Sequence, residues 1–272
     1  MQPTGGEATK DPRAAIKQDD GFVATFLSAP AANWILRRAE GTPLTPNQVT
    51  AASAALAVAA SAAFASGLWP FLVLGAVLLQ LSFVLDCLDG QLARHLGTSS
   101  RFGAWLDYMT DCLEDVVIVA GVAIGCAARS GSEAPYLWSY AALLVLFYRR
   151  FDGLLLDRLL GEDYQAVFRG GNRAIADEGK ARVIAELRER KAASWGVVAR
   201  LLDRLAPRAT ERPSPVVLWT KRALLFREGE RYLAISLLAA VGHPEWIFPT
   251  IVVLGVVLYP LTTLRRWQLF AP

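Results

Sequence analysis

Residues 71–111 read FLVLGAVLLQLSFVLDCLDGQLARHLGTSSRFGAWLDYMTD, and four aspartates stand out: Asp86, Asp89, Asp107 and Asp111. Asp86 closes a long apolar run, and Asp111 opens another, CLEDVVIVAGVAIGCAA. Carboxylates beside membrane-grade helices are costly and are kept for function. Asp86 and Asp89 are three apart, and Asp107 and Asp111 are four apart, so on helices each pair shares one face. The expectation is one helix ending and another beginning at this cluster, joined by a loop of about 15 residues that converges the two faces.

Outward from the cluster, the composition points to the bilayer. The 272 residues are 54% hydrophobic and 19% charged, with mean hydropathy +0.33. A soluble domain carries more charge and shorter apolar runs. A membrane-crossing helix needs about 20 apolar residues. Six stretches qualify, near 49–67, 69–88, 105–127, 135–156, 231–246 and 247–264. The predicted fold is all-α, an integral membrane bundle of six transmembrane helices. The first span is rich in Ala and Ser, residue types that let helix backbones approach closely in lipid. A tight turn at Leu68, Trp69 and Pro70 joins it to the second.

Charge orients the bundle. Of 28 Lys and Arg, only Arg129 falls in an opposite-side turn. The positive-inside rule makes the other side cytoplasmic, and the bias survives when the long 157–230 loop is set aside. The net charge of +3 fits anionic headgroups and phosphate substrates, and no nucleic acid is implied. The expected location is a membrane, a bacterial inner membrane, with the cluster facing the cytoplasm. Cys87, Cys112 and Cys126 show neither metal spacing nor a disulfide framework.

The flanking segments divide as follows. Residues 1–20 are polar, lack the apolar region of a cleaved signal peptide, and read as a disordered tail. Residues 21–44 read as an interfacial amphipathic helix interrupted at Pro30, with Trp34, Arg37 and Arg38. Packing on a soluble face fits it equally. Thr45 and Pro46 suit the cap and first turn of span one. The catalytic core occupies 45–156 (spans 1–4), a helical cytoplasmic insert 157–228, and spans 5–6 residues 229–272. Two stretches of the insert, 174–191 and 195–206, have helical apolar periodicity.

Four nearby anions repel at low dielectric and call for cations. Oxygen-only ligands favour Mg²⁺ or Mn²⁺ over zinc. His95 and His243 fall on opposite sides of the membrane and cannot share a site. Two ions sharing Asp86 and Asp107 would clamp an in-line phosphoryl displacement. Gly90 and Gly103 permit close backbone approach, and Arg94 can hold a phosphate oxygen. Ser99 and Ser100 are candidate donors to phosphate or ribose. Asp111 is the candidate general base for the attacking hydroxyl.

The pattern Asp86-x2-Asp89-Gly90-x2-Ala93-Arg94-x8-Gly103-x3-Asp107-x3-Asp111 resembles the signature of the CDP-alcohol phosphotransferase (phosphatidyltransferase) family without a departure. Pro46, Asn47 and Thr50 are similar to that family's segment at the first span. The resemblance covers about 45–130. It implies a six-helix membrane enzyme, often a homodimer, in which a CDP-linked donor gives its substituted phosphate to an acceptor hydroxyl and CMP leaves. It also implies two Mg²⁺ or Mn²⁺ ions. By the match, Asp86 and Asp107 bridge them, Asp89 completes one site, and Asp111 completes the other and acts as base. Asn47, Thr50, Gly90, Ala93, Arg94, Ser100 and Gly103 would hold the CDP moiety.

The donor is either CDP-diacylglycerol or a CDP-polyol. The segments around Gly21 and 45–50 look more like the branch of di-inositol-phosphate-phosphate synthases than the glycerol-phosphate enzymes. Arg149, Arg150 and Arg222, with Lys221, Arg227 and Arg231, are candidates to hold a phosphorylated acceptor. Ordinary positive-inside anchoring explains any one of them as well. A cation-coupled transporter would use intramembrane carboxylates too. It does not explain Gly90, Arg94 and Gly103, nor acids gathered at one edge. A membrane scaffold fits the insert and leaves the cluster without a purpose.

Overall fold

A computed structural model describes residues 21–169 and 226–267, and every element in them is helical. A π-helical turn, Ala24–Ser28, leads into α1, Ala29–Ala39. Then come α2, Pro46–Ala65, α3, Trp69–Leu96, α4, Arg101–Ser130, and α5, Ala134–Arg169. After residues 170–225 follow α6, Glu228–Ala240, a 3₁₀ turn, Pro244–Trp246, and α7, Ile247–Trp267. The tail 1–20, most of the expected insert, and Arg222 lie outside the described residues.

Pro30 does not interrupt the first helical segment. It sits in the first turn of α1, where a missing N–H costs nothing, and the wider π turn precedes it. Ala29, Ala32, Asn33 and Leu36 form the buried face of α1. Ala32 and Leu36 pack with Leu88 and Leu92 of α3. Trp34 stays 58% exposed, with the Arg38 guanidinium 3.5 Å above its ring.

At the start of α2, Thr45 accepts the Gln48 N–H, Gln48 reaches back to the Thr45 N–H, and Pro46 occupies the first turn. α2 packs on both α3 and α4. Its small residues make this contact close. A Cβ added at Gly121 of α4 would lie 2.3 Å from the Ser61 carbonyl oxygen, and one at Gly125 would lie 2.1 Å from that of Phe64. Ser61 Oγ donates to the Val117 carbonyl at 2.6 Å. Small residues bring helix backbones together in this way where lipid supplies no hydrophobic drive.

Among the described residues two helices, α2 and α3, are long and apolar enough to cross a membrane by length and composition. α3 departs from the sequence expectation. It continues past Asp86 and Asp89 to Leu96, and the connection to α4 is four residues rather than about 15. Gly90 follows Asp89 without ending the helix, and the first left-handed residue is Gly97, whose φ of 64° stops α3 while Thr98 N–H reaches the Ala93 carbonyl at 3.0 Å. α5 likewise runs thirteen residues beyond the expected end of span four, into the start of the expected insert.

The chain falls into two compact units. One holds, among the described residues, 21–146 and 226–255. Its core joins Phe64, Leu79, Ile118, Val122, Ile235 and Phe248. The other holds 147–169 and 256–267.

Candidate metal centre

Asp86 and Asp89 project from α3, and Asp107 from the second turn of α4. One carboxylate oxygen of each lies within 4.8 Å of the others. Asp89 is buried, Asp86 half-buried and Asp107 exposed, so the trio grades from the protein interior to its surface. Three carboxylates this close repel one another unless a cation joins them. Hard oxygen donors with no nitrogen or sulfur fit Mg²⁺ or Mn²⁺. Asp111 follows Asp107 by one turn of α4 and is half-buried. It is not one of the three whose oxygens converge.

Thr50 of α2 is buried at 8% exposure and points to this trio. Its hydroxyl lies 2.5 Å from Asp89 Oδ2 and 3.1 Å from the Pro46 carbonyl. Asn47, one turn earlier, is exposed. The bare backbone of Gly90 is covered by Arg94, whose guanidinium nitrogen would stand 3.2 Å from a Cβ there. Arg94 is exposed and Ala93 half-buried. Ser100 caps α4 by accepting the Gly103 N–H at 2.9 Å, which leaves its hydroxyl hydrogen free to donate.

Sequence reasoning missed a second polar layer beneath the aspartates. Ser53 Oγ donates to the Ser82 carbonyl at 2.9 Å, and Ser82 Oγ to that of Ser53 at 3.0 Å. Glu114 Oε1 lies 3.4 Å from Ser53 Oγ, and Glu114 is 6% exposed. Asp115 receives the guanidinium of Arg231 from α6. The signal was present in the chain: Glu114 and Asp115 follow Asp111 by three and four positions, on its own helical face, inside an apolar run.

That ion pair corrects one expectation. Arg231 is 4% exposed and engaged with Asp115, so it does not face a soluble acceptor. The Arg227 N–H donates to Glu230, which also receives the Val23 N–H at 3.1 Å. Glu230 thus ties the start of the N-terminal helix to α6. In the second unit, Arg149 lies 3.9 Å from Asp152 and 5.5 Å from the centre of the Tyr259 ring. Arg150 is half-buried.

The chain is similar to several curated proteins. A bifunctional IPC transferase and DIPP synthase of Rubrobacter xylanophilus is 37% identical over 135 residues, which cover 50% of this chain and 30% of that protein. An archaetidylinositol phosphate synthase of Methanothermobacter thermautotrophicus is 38% identical over 106 residues, 39% of this chain and 52% of that protein. A phosphatidylinositol phosphate synthase of Mycolicibacterium smegmatis is 41% identical over 113 residues, 41% and 46% of the respective chains. The matches thus span about half or less of each relative's length. The region matched by the family itself runs from the cap of α2 through α3, α4 and α5, and includes all four aspartates. Residues 43–169 match the CDP-alcohol phosphatidyltransferase family.

Proposed function

We propose that the protein is a membrane CDP-alcohol phosphotransferase. It moves a substituted phosphate from a CDP-linked donor to an acceptor hydroxyl and releases CMP. The observation that carries this reading is the convergence of Asp86, Asp89 and Asp107 from two helices to within 4.8 Å. The family match over the same residues supports it.

In this reading Asp86, Asp89, Asp107 and Asp111 hold two Mg²⁺ or Mn²⁺ ions. When bound, such ions neutralise diphosphate charge and make phosphorus more electrophilic. Asp111 accepts the proton of the acceptor hydroxyl. That oxygen then forms a bond to the donor's substituted phosphorus, the bond from phosphorus to the bridging oxygen breaks, and CMP carries that oxygen away. Arg94 donates to a phosphate oxygen, and the Ser100 hydroxyl supplies a further donor. Ala93 and Gly103 keep the approach open for the nucleotide, Gly90 leaves room for the Arg94 guanidinium that holds it, and Asn47 stands at its edge. Arg149, Arg150 and Arg222 supply positive charge for a phosphorylated acceptor.

We extend the substrate from the relatives. Two of them carry inositol phosphate in their names, so inositol phosphate is the acceptor to try first, with CDP-diacylglycerol or CDP-inositol as donor. The bundle is read as six spans, with the aspartates on the cytoplasmic side of a bacterial inner membrane and the protein as a homodimer. Exposed Trp105, Leu113, Leu137, Leu144 and Val241 support lipid contact, since water would meet them all in a soluble chain.

The test is CMP release by the purified protein from each donor, with a panel of alcohols and sugar phosphates and product identification by mass spectrometry. Release should require Mg²⁺ or Mn²⁺ and fall by about a hundredfold or more in Asp111→Asn. Cation transport without CMP release would instead identify a transporter.

A further inference from the structure

Thr50 has one hydroxyl hydrogen and two acceptors within reach, the Pro46 carbonyl at 3.1 Å and the Asp89 carboxylate at 2.5 Å. A hydroxyl prefers a charged acceptor, and its bonds to carboxylates are the shorter ones. The hydrogen therefore goes to Asp89 Oδ2. Thr50 and Asp89 are both buried, 39 residues apart in sequence, on different helices. One turn further along α2, Ser53 repeats the arrangement. It reaches Ser82 of α3 and Glu114 of α4. A row of hydroxyls on one helix thus meets the polar groups of two others.

Asp89 has two oxygens. One converges with Asp86 and Asp107, and a bond to the carboxylate restricts its rotation about the Cβ–Cγ axis. Residues that hydrogen-bond a metal-ligating carboxylate orient it, and their loss weakens metal binding. We propose that Thr50 is a positioning residue: it sets the rotamer of Asp89 for a divalent ion and does not contact the nucleotide. This rests on the metal reading above and assigns Thr50 a different task from the one the family resemblance implies. The β-branch supports the same end, because in a helix it narrows the threonine hydroxyl to two χ1 positions.

The experiment is Mn²⁺ titration of the full-length purified protein, without nucleotide, followed by the EPR signal of free Mn²⁺. Thr50→Val should raise the Mn²⁺ dissociation constant about tenfold, and Thr50→Ser should restore it to within about threefold of wild type. At saturating Mn²⁺, the KM for the CDP donor should stay within about twofold in both variants. In an Asp89→Asn background, Thr50→Val should add nothing further. If Thr50→Val does not fold, Thr50→Ala carries the same expectation. Unchanged Mn²⁺ affinity with a raised donor KM overturns the inference and makes Thr50 a nucleotide ligand. Wild-type protein that binds no Mn²⁺ sinks the metal reading, and this inference with it. Tight wild-type binding that Thr50→Val leaves unaltered sinks this inference alone.

Discussion

Arg231 of α6 donates to the carboxylate of Asp115 of α4, and both side chains are sealed from solvent at 5% and 2% exposure. The two residues are 116 positions apart, so the pair fixes α6 against α4 beneath the aspartates. Removing one partner of a buried pair leaves an uncompensated charge, which costs about 3–5 kcal/mol. Arg231→Met should therefore lower the melting temperature sharply, as followed by tryptophan fluorescence in detergent. The double variant Asp115→Leu, Arg231→Met should recover most of the loss. A single variant that melts like wild type would refute this account of the pair.

Gly121 and Gly125 test the closeness of α2 and α4. A methyl at either position meets backbone oxygen well inside contact distance. Gly121→Ala and Gly125→Ala should each destabilise by about 1–3 kcal/mol, because neither helix can shift without disturbing its other neighbours. Gly153→Ala is the control. Nothing lies within 4 Å of a Cβ there, and alanine is the better helix former. Equal melting of all three variants would contradict the close packing.

Arg129 holds two turns together. Its guanidinium donates to the Gly67 carbonyl at 3.0 Å and to that of Gly242 at 3.4 Å. Beside it, Trp69 Nε1 donates to the Ala240 carbonyl at 3.0 Å. Arg129→Leu should cost about 1–3 kcal/mol. It should also speed amide exchange at 66–69 and 240–243 while leaving the turn at 97–100 unchanged. Exchange that rises uniformly along the chain would mean the contacts are incidental.

Divalent ions should stabilise the fold itself. A ligand that binds only the native state at a hundred times its dissociation constant adds about 2.7 kcal/mol. Mn²⁺ should raise the melting temperature of the wild type, EDTA should reverse the rise, and Asp86→Asn or Asp107→Asn should remove most of it. A shift that persists in both variants would place the ion elsewhere.

The shared helix of Asp86 and Asp89, the place of Asp107 on the next helix and the Thr45–Pro46 start of α2 were legible in the sequence, because each rests on spacing within one or two turns. The extent of α3 was not. Acidic residues at the end of an apolar run look like a boundary, yet the helix runs on through Gly90 and stops only where Gly97 turns left-handed. Contacts such as Thr50 with Asp89 or Arg231 with Asp115 leave no local trace, since they depend on how separate helices meet. Arg231 looked available only because its partner lies so far away along the chain.

The corner at 97–100 has a consequence for the carboxylates it joins. Asp107 meets Asp86 and Asp89 across a bend of four residues, so the angle between α3 and α4 sets the spacing of the three carboxylates and, on the proposed reading, the size of the cation's berth. One residue inserted in that bend would turn Asp107 aside by a large arc and dismantle the berth with every acidic group still encoded. If the site captures an ion as proposed, loop length at this corner is as strict a requirement for it as the aspartates themselves.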